Sequence, residues 1–220
     1  MKQYPSLEIV PPLKGMTKDE LLDDIRPFIE FAPKYINVTC HRDEIMYDEQ
    51  PDGSYRKRLV RRRVSETAVC GAIQSEFKVD VVPHLICGGL TAEQIEFQLQ
   101  DFKFMGLSNV LALRGDCLTG EKRFSPVHGG YNHANELVEA IRRFENDNGC
   151  EGFFRIGVGG YPEKHFEAAN MDEDIANLKR KVDAGADYIT TQMFFDNKVF
   201  YSFVDRCRKA GITVPIIPGL

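Results

Sequence analysis

Residues 109–116 read Asn-Val-Leu-Ala-Leu-Arg-Gly-Asp (NVLALRGD), and this short apolar run ends abruptly in a cation, a glycine and an anion. A continuous apolar run of this length is typical of a strand that is buried on both faces. Parallel strands of this kind carry their ligand-binding groups at their C-terminal ends. The stretch therefore predicts a buried parallel strand whose charged end meets a ligand.

Six further β-rich runs share this character and alternate with helical patterns. Thr17 with Glu20, and Thr91 with Gln94, have the spacing of capping boxes at helix starts, while Gly185 and Gly211 follow helical patterns as C-terminal caps. The runs are LEIV from residue 7, YINVT from 35, VDVVPHLI from 79, FRIGVGG from 154, YITTQMFF from 188 and VPIIPG from 214.

The alternation of strands and helices requires crossover connections, and hence a largely parallel sheet. A doubly wound sheet needs a glycine-rich phosphate turn after its first strand, but LEIVPPLKG has two prolines there. We therefore expect an α/β protein with the (β/α)8 TIM-barrel fold, as a single domain over residues 1–220. Only seven strands are visible, so we expect the eighth to be missing and the chain to be C-terminally incomplete.

Composition narrows the classes of partner. The 220 residues include 28 Lys and Arg against 33 Asp and Glu, and the net charge of -5 gives no general attraction to nucleic acid or to an anionic membrane. The N-terminus lacks an apolar signal core, and no apolar run approaches the ~20 residues of a membrane span. We expect a soluble cytoplasmic protein. The scattered cysteines lack zinc-ligand spacing and are predicted to be reduced, partly buried small hydrophobes, with no metal site.

Polar residues lie within or just after nearly every apolar run. At the C-terminal edge of a barrel these side chains converge on one mouth. Glu8 is flanked by Leu7 and Ile9, so burial should raise the pKa of its carboxyl and favour the protonated form. The alternative is an outward-facing Glu8 paired with a helix cation. The strand-end residues are Glu8, Thr39, His84, Arg114, Asp116, Tyr161 and Gln192.

Eight motifs in order give the chain a resemblance to the methylenetetrahydrofolate reductase family. They are EIVPP, the VT after the second strand, PHLIC, ALRGD, GYPEKH, NLKRKVDAGAD, ITTQMFFD and IIPG. The resemblance implies an FAD-containing barrel that transfers hydride from NADH or NADPH to 5,10-methylenetetrahydrofolate. The product would be 5-methyltetrahydrofolate for methionine synthesis, formed by ping-pong turnover. The resemblance leaves open which nicotinamide is used and whether the protein is a homo-oligomer.

The same resemblance implies roles for three catalytic and folate-binding residues. Glu8 would be the general acid that protonates N10 of the folate, and Asp116 would stabilise the iminium cation that forms at N5. Gln192 would contact both the nicotinamide and the folate. Two structural alternatives stay open: Asp116 paired with Arg114 on a barrel rim, and Gln192 buried and satisfied by backbone groups.

The flavin contacts are also implied by the resemblance. Arg114 would supply a charge-assisted hydrogen bond, and Arg180 with Lys181 would bind phosphate, although a solvated helix face is the usual interpretation of such a basic run. Asp174 would bind ribitol or ribose hydroxyls, and His133 stands where a tyrosine is commoner. The full set is Thr39, His84, Leu113, Arg114, Gly115, Asp116, His133, Gly159, Tyr161, His165, Asp174, Asn177, Arg180 and Lys181.

Residues 40–63, CHRDEIMYDEQPDGSYRKRLVRRR, depart from the family pattern. Six of the eight residues from Arg56 to Arg63 are basic. We expect the solvated start of a helix here. Attraction for a folate polyglutamate tail is the second interpretation, and nucleic-acid binding is the least favoured on an acidic protein.

Two other functions compete with the reductase. One is a pterin-binding methyltransferase barrel that hands a methyl group to a corrinoid partner and needs no flavin. The other is a truncated barrel that binds flavin or folate without turnover. A flavin spectrum separates the first from the reductase, and the mass of the intact chain bears on the second.

Overall fold

A computed structural model describes residues 5–117 and 124–220 of the chain. The chain divides into two compact units. Met1–Leu107 with Arg114–Asn132 form the N-terminal unit, and Ser108–Leu113 with His133–Leu220 form the C-terminal unit. That the chain is a single domain stays a prediction. Among the described helices, none is long and apolar enough to cross a membrane.

The N-terminal unit holds five strands and three helices among its described residues, and two of those helices begin at the predicted capping boxes. The Thr17 hydroxyl accepts from the Glu20 amide at 3.3 Å and the Thr91 hydroxyl from the Gln94 amide at 3.2 Å. The elements are β1 Leu7–Ile9, α1 Lys18–Ile29, β2 Tyr35–Val38, β3 Glu44–Glu49, β4 Tyr55–Val60, α2 Glu66–Phe77, β5 Asp80–Ile86 and α3 Ala92–Phe104.

Strands β1, β2 and β5 form a parallel sheet with β2 in the middle. In its register Glu8 lies opposite Asn37, and Asn37 lies opposite Val82. Because side chains alternate along a strand, Glu8, Asn37 and Val82 lie on one face of this sheet, as does His84, two residues further along β5. The register thus brings two candidate site residues, far apart in sequence, onto the same face.

Strands β3 and β4 form an antiparallel hairpin across residues 44–60, and the expectation of a helix start at Arg56 to Arg63 is wrong. Helix α2 begins only at Glu66, after Ser65 caps it. The hairpin forms because its turn contains Gly53 with a φ of 79°, and because Arg58 pairs with Asp48 across the strands. The predicted solvent exposure is confirmed, since β4 is exposed at all but its last residue.

The C-terminal unit is a four-stranded parallel sheet in the order β6, β7, β8, β9, with helices between the strands. Gly185 and Gly211 follow helices with φ of 117° and 78°, which confirms them as C-terminal caps. The elements are β6 Asn109–Leu113, α4 Ala134–Asp147, β7 Arg155–Gly160, α5 Met171–Asp183, β8 Tyr188–Thr191, α6 Asn197–Lys209 and β9 Ile216–Ile217.

All seven predicted strands are present in the described residues. Within each unit they are parallel and alternate with helices, as the predicted α/β class requires. The cores are apolar: Ile36, Val38 and Leu85 are completely buried in the N-terminal unit, and Ile156 and Val158 in the C-terminal unit. The sequence therefore predicted the main strands correctly and missed the hairpin.

Candidate functional site

A carboxyl and an imidazole meet on the sheet of the N-terminal unit. The Nε2 atom of His84 lies 3.7 Å from Oε2 of Glu8. The His84 side chain is only 7% exposed, and its Nε2 atom has no hydrogen-bond partner among the described residues. Burial, followed by the charge of His41, lowers the pKa of His84 from 6.5 to about 4. His84 is therefore a neutral imidazole at neutral pH.

The Glu8 side chain is accessible to solvent, and the pKa of its carboxyl is raised. Its side chain is 59% exposed, so a ligand can reach it. Desolvation by the surrounding strands raises the pKa of its carboxyl, in the direction predicted from sequence. Among the described residues, the Glu8 carboxyl contacts the neutral His84 imidazole on β5 and forms no ion pair with a helix Lys or Arg, so that alternative is wrong.

Sequence reasoning missed two residues that surround this pair. Asn37 is 8% exposed, and its Nδ2 atom donates to the Leu7 carbonyl at 3.3 Å, which fixes β1 against β2. His41 lies 2.9 Å, Nε2 to Oγ1, from the Thr39 hydroxyl. Desolvation and the charge of Arg63 lower the pKa of His41, and Asp116 opposes them. The polar Asn inside the apolar run YINVT was the available signal for Asn37.

Arg114 and Asp116 meet a third residue that sequence reasoning did not single out. Nη1 of Arg42 donates to the Asp116 carbonyl at 3.0 Å. The guanidinium carbons of Arg42 and Arg114 lie 5.7 and 4.8 Å from the centre of the Phe124 ring, within cation–π range. The Asp116 residue is exposed, so this end of the unit presents a cation, an aromatic ring and a carboxylate together.

Gly115 allows the chain to turn between these two charged residues. Its φ is 84°, in the left-handed region that side chains disfavour, and a Cβ there would lie 3.3 Å from Ile86. The carbonyl of Arg114 then accepts a hydrogen bond from the Gly88 amide at 2.8 Å. The abrupt end of the apolar run is thus a turn that only glycine fits easily.

Five of the predicted cofactor residues come together in the C-terminal unit. Lys181 donates from Nζ to the Gly159 carbonyl at 2.7 Å and lies 5.8 Å from the centre of the Tyr161 ring. Tyr161 meets His165 edge to face, with ring centroids 4.6 Å apart. The His165 amide donates to Oδ2 of Asp174 at 2.9 Å, and Asp174 is 7% exposed. Helix α5 therefore holds the segment after β7 against the end of that strand.

The donor set of this cluster fits a flat, polar aromatic cofactor. A Cβ on Gly159 would lie at ordinary van der Waals distances from Leu113, at 3.4 Å, and from the Tyr161 hydroxyl, at 3.8 Å. Lys181 offers a cation for phosphate, and Tyr161 with His165 offers rings and polar atoms. Together they suit a ligand that has both phosphates and an aromatic ring system.

The other predicted site residues of this unit have contacts outside that cluster. Arg180 contacts Asn177 on the same helix, one turn away. Gln192 is exposed, so the alternative of a buried glutamine is wrong. The backbone N–H of Gln192 donates to the Gly160 carbonyl at 2.7 Å. His133 is the N-cap of α4 and is exposed, and its side chain makes no capping hydrogen bond.

Comparison with known proteins gives a family match over the whole chain. The family model described as methylenetetrahydrofolate reductase matches residues 1–220. A maize protein named methylenetetrahydrofolate reductase (NADH) 1 is 42% identical over 161 residues, covering 69% of this chain and 26% of that protein. The 5,10-methylenetetrahydrofolate reductase of Escherichia coli is 31% identical over 215 residues, covering 98% and 63%. The chain thus spans about a quarter of the maize relative and under two thirds of the bacterial one.

Solved structures resemble the chain in fold. An uncharacterised Clostridium thermocellum protein, described as binding two copies of 5-methyl-5,6,7,8-tetrahydrofolic acid, has a TM-score of 0.52 at 16% identity and covers 97% of this chain and 64% of that one. A deoxyribose phosphate aldolase from Aeropyrum pernix has a TM-score of 0.54 at 13% identity, covering 98% and 76%. These likenesses are to TIM-barrel-like folds, and they confirm the predicted fold class.

Proposed function

The chain belongs to the methylenetetrahydrofolate reductase family, and from this premise we propose that it carries the catalytic machinery that reduces 5,10-methylenetetrahydrofolate to 5-methyltetrahydrofolate with a nicotinamide. The observation that supports the proposal most directly is the pair of Glu8 and His84. An accessible carboxyl with a raised pKa, 3.7 Å from a neutral imidazole, is suited to donate a proton to a ligand.

Glu8 would act first on the folate. Its protonated carboxyl donates a proton to N10, the bond from the bridging methylene carbon to N10 breaks, and the electron pair of that bond stays on N10. The lone pair of N5 then forms the iminium, which can accept hydride at the methylene carbon and become the methyl group. His84 carries no charge at neutral pH, so it does not draw the proton from Glu8 by ion pairing.

Asp116 would act on the charge that appears in this step. Its carboxylate stabilises a cation at N5 electrostatically, because preorganised charge near a developing cation lowers the barrier. Asp116 lies close enough to His41 to oppose the lowering of the pKa of that imidazole, and His41 in turn influences His84. This chain of interactions supports a role for Asp116 beside Glu8.

FAD, when bound, supplies the carrier that takes hydride from the nicotinamide and passes it to the folate, one substrate after the other. Lys181 and Arg180 would bind its phosphates, while Tyr161 and His165 would lie along its rings. Arg114 would add a charge-assisted hydrogen bond. We extend this role to the whole predicted set, adding Thr39, His84, Leu113, Gly115, Asp116, His133, Gly159, Asp174 and Asn177, with Gln192 for the two substrates.

The test follows the flavin spectrum of the purified protein under anaerobic conditions. We expect bleaching on addition of NADH or NADPH, and return of the colour on addition of methylenetetrahydrofolate, with 5-methyltetrahydrofolate formed. A protein that never binds FAD would contradict the proposal and leave the pterin-binding methyltransferase. Bleaching without reoxidation by the folate would leave a flavin-binding barrel without folate turnover. The nicotinamide that bleaches faster identifies the reductant, and cytoplasmic location, homo-oligomer formation and a role in methionine synthesis stay predictions.

A further inference from the structure

The side chain of Arg42 connects three segments of the N-terminal unit. Arg42 lies between β2 and β3 and is half-buried. Its side chain passes over the two glycines that follow β5, and its guanidinium reaches the turn that carries Asp116. Nη1 of Arg42 donates there to the Asp116 carbonyl at 3.0 Å. One side chain from a loop thus contacts a residue to which the proposed function assigns a role.

The two glycines after β5 leave room for the Arg42 side chain. A Cβ on Gly88 would lie 3.2 Å from Cδ of Arg42, and a Cβ on Gly89 would lie 3.1 Å from its Nε atom. Both distances are tighter than most contacts that a Cβ makes. Gly89 also has a φ of 84°, which disfavours larger residues. Other residues at these two positions would therefore displace the Arg42 side chain.

The turn that Arg42 reaches needs support from outside. Gly115 precedes Asp116 directly, and glycine restricts the backbone least of all residues. The hydrogen bond from Arg42 restrains the backbone just after this glycine. The Phe124 ring adds a second contact, since the guanidinium groups of Arg42 and Arg114 both lie within cation–π range of it. The position of Asp116 therefore depends on the position of Arg42.

Arg42 binds the backbone of Asp116 and not its carboxylate. Over residues 5–117 and 124–220, no ion pair involves the Asp116 carboxylate or the Arg42 guanidinium. An arginine paired with the carboxylate itself would offset the negative charge that stabilises a cation. A hydrogen bond to the carbonyl holds the residue in place and leaves its carboxylate accessible to a ligand.

We propose that Arg42 is a positioning residue for Asp116, and that it sets the place of the carboxylate that stabilises the folate iminium. This inference rests on the proposed function, in which Asp116 acts on the cation at N5. Electrostatic stabilisation of this kind requires a charge that is already in place before the reaction. A displacement of about 1 Å, caused by a change away from the reacting atoms, can slow a reaction by about 10²-fold.

The experiment measures the two half-reactions of the FAD-loaded protein by anaerobic stopped-flow mixing. Arg42→Met keeps an unbranched side chain but has no donor for the Asp116 carbonyl. We expect flavin reduction by the nicotinamide to stay within about twofold of the parent rate. Reoxidation by saturating methylenetetrahydrofolate should slow by about 10- to 100-fold, because only this step develops the iminium.

Asp116→Asn tests whether Arg42 acts through the carboxylate. Asparagine keeps the backbone carbonyl that Arg42 binds but lacks the negative charge. In the Asp116→Asn background, Arg42→Met should slow the folate half-reaction by less than about threefold, well short of its effect in the parent. A general structural loss would instead slow the reaction by the same factor in both backgrounds.

Arg62→Met is the matched control, because it removes one cation from the same unit at a solvated position. Nη1 of Arg62 lies 3.1 Å from Oε2 of Glu44, and its side chain is 51% exposed. We expect this variant to keep the parent rates of both half-reactions. Both methionine variants should keep the parent far-UV circular dichroism spectrum. They should bind FAD and 5-methyltetrahydrofolate, which has no iminium cation, within about twofold of the parent.

The possible results separate the inference from the proposed function. A folate half-reaction of Arg42→Met within about threefold of the parent, or equal slowing in the two backgrounds, overturns the inference and leaves the reductase function standing. Weaker binding of FAD or of 5-methyltetrahydrofolate in Arg42→Met overturns it in favour of direct contact between Arg42 and that ligand. A parent flavin that methylenetetrahydrofolate does not reoxidise overturns the proposed function, and the inference with it.

Discussion

Among single residues, Glu8 and His84 illustrate how the chain sets two protonation states in one place. Desolvation raises the pKa of the carboxyl, and burial lowers the pKa of the imidazole to about 4. Both shifts favour the uncharged form, so the Glu8 carboxyl keeps its proton available for a ligand and the neutral His84 imidazole does not stabilise the Glu8 carboxylate. The two predictions that follow test the acid and the histidine separately.

Glu8→Gln keeps the shape of the side chain but removes the proton that N10 requires. We expect reduction of the flavin by the nicotinamide to stay near the parent rate, while reoxidation by methylenetetrahydrofolate slows by about 10²- to 10⁴-fold. Anaerobic stopped-flow mixing measures the two half-reactions separately. A folate half-reaction within about threefold of the parent would remove Glu8 from the chemistry.

His84 should make the folded state sensitive to acid. Its pKa is about 4 in the folded protein against an ordinary 6.5, so between these values the unfolded chain binds a proton that the folded chain does not. Stability is therefore present above pH 6.5 and is lost as the pH falls towards 4, by about 3 kcal/mol in total at roughly 1.4 kcal/mol per pH unit.

The measurement is the free energy of unfolding in urea at about pH 7 and about pH 5, for the parent and for His84→Gln. The loss of stability between the two pH values should be smaller in the variant, because the titrating imidazole is absent. Far-UV circular dichroism at the higher pH shows that the variant is folded. Equal loss of stability in both proteins would assign the acid sensitivity to other groups, with His41, whose pKa is also lowered, as the neighbouring candidate.

At the level of elements, the close approach of β7 and β8 depends on a glycine. A Cβ on Gly157 would lie 2.4 Å from the Tyr188 ring. The ring cannot move away easily, because its hydroxyl donates to Oδ1 of Asn109 at 3.0 Å and the Arg155 guanidinium lies 5.1 Å from its centre. The Tyr188 side chain of β8 therefore contacts residues of both β6 and β7.

Gly157→Ala should destabilise the protein by about 1 to 3 kcal/mol through overpacking. Gly71→Ala is the matched control, because a Cβ there meets the flexible end of Met105 at 2.7 Å within helix α2. Alanine is favoured over glycine in a helix by roughly 0.5 to 1 kcal/mol, so we expect this control to be neutral or stabilising. Urea midpoints at constant slope compare the two, and equal effects would contradict the role of the Tyr188 ring.

At the scale of the whole molecule, each unit has its own core, and Arg142 ties the C-terminal unit together. Its guanidinium donates to Oε2 of Glu145 and Oδ2 of Asp187, both at 2.8 Å, and to the carbonyls of Gly185 and Phe154 at 2.7 and 2.9 Å. Glu145 is only 2% exposed. Loss of the cation would leave a buried carboxylate without its charged partner.

Arg142→Met should therefore lower the free energy of unfolding by about 2 to 4 kcal/mol. This range is below that of a fully buried ion pair, because the Arg142 side chain is 26% exposed. Arg206→Gln is the control: Arg206 lies 3.0 Å from Asp172, but both side chains are well exposed. We expect that loss to stay under about 1 kcal/mol. Thermal and urea unfolding measure both, and equal small effects would show that the Arg142 network contributes little.

The main strands, the capped helix ends and the class of the fold could all be predicted from the amino-acid sequence. Capping boxes such as Thr17 with Glu20 are local patterns, and a buried strand shows itself by its own apolar run, so neither requires knowledge of distant residues. It also marked Glu8 as a carboxyl in an apolar strand. The hairpin was not predicted, because charged strands on a solvated surface lack hydrophobic alternation. The Asp52-Gly53 turn was the signal that could have indicated it.

The contacts between residues that are distant in sequence could not be predicted in this way, because they depend on the folded arrangement of the strands and helices. Glu8 and His84 are brought to 3.7 Å because β1 and β5 both pair with β2, in a register that places both on the face that carries Asn37. Lys181 reaches the Gly159 carbonyl because α5 packs beside β7. Strand register and helix packing depend on the sum of many contacts across the fold, and no local pattern of residues contains that sum.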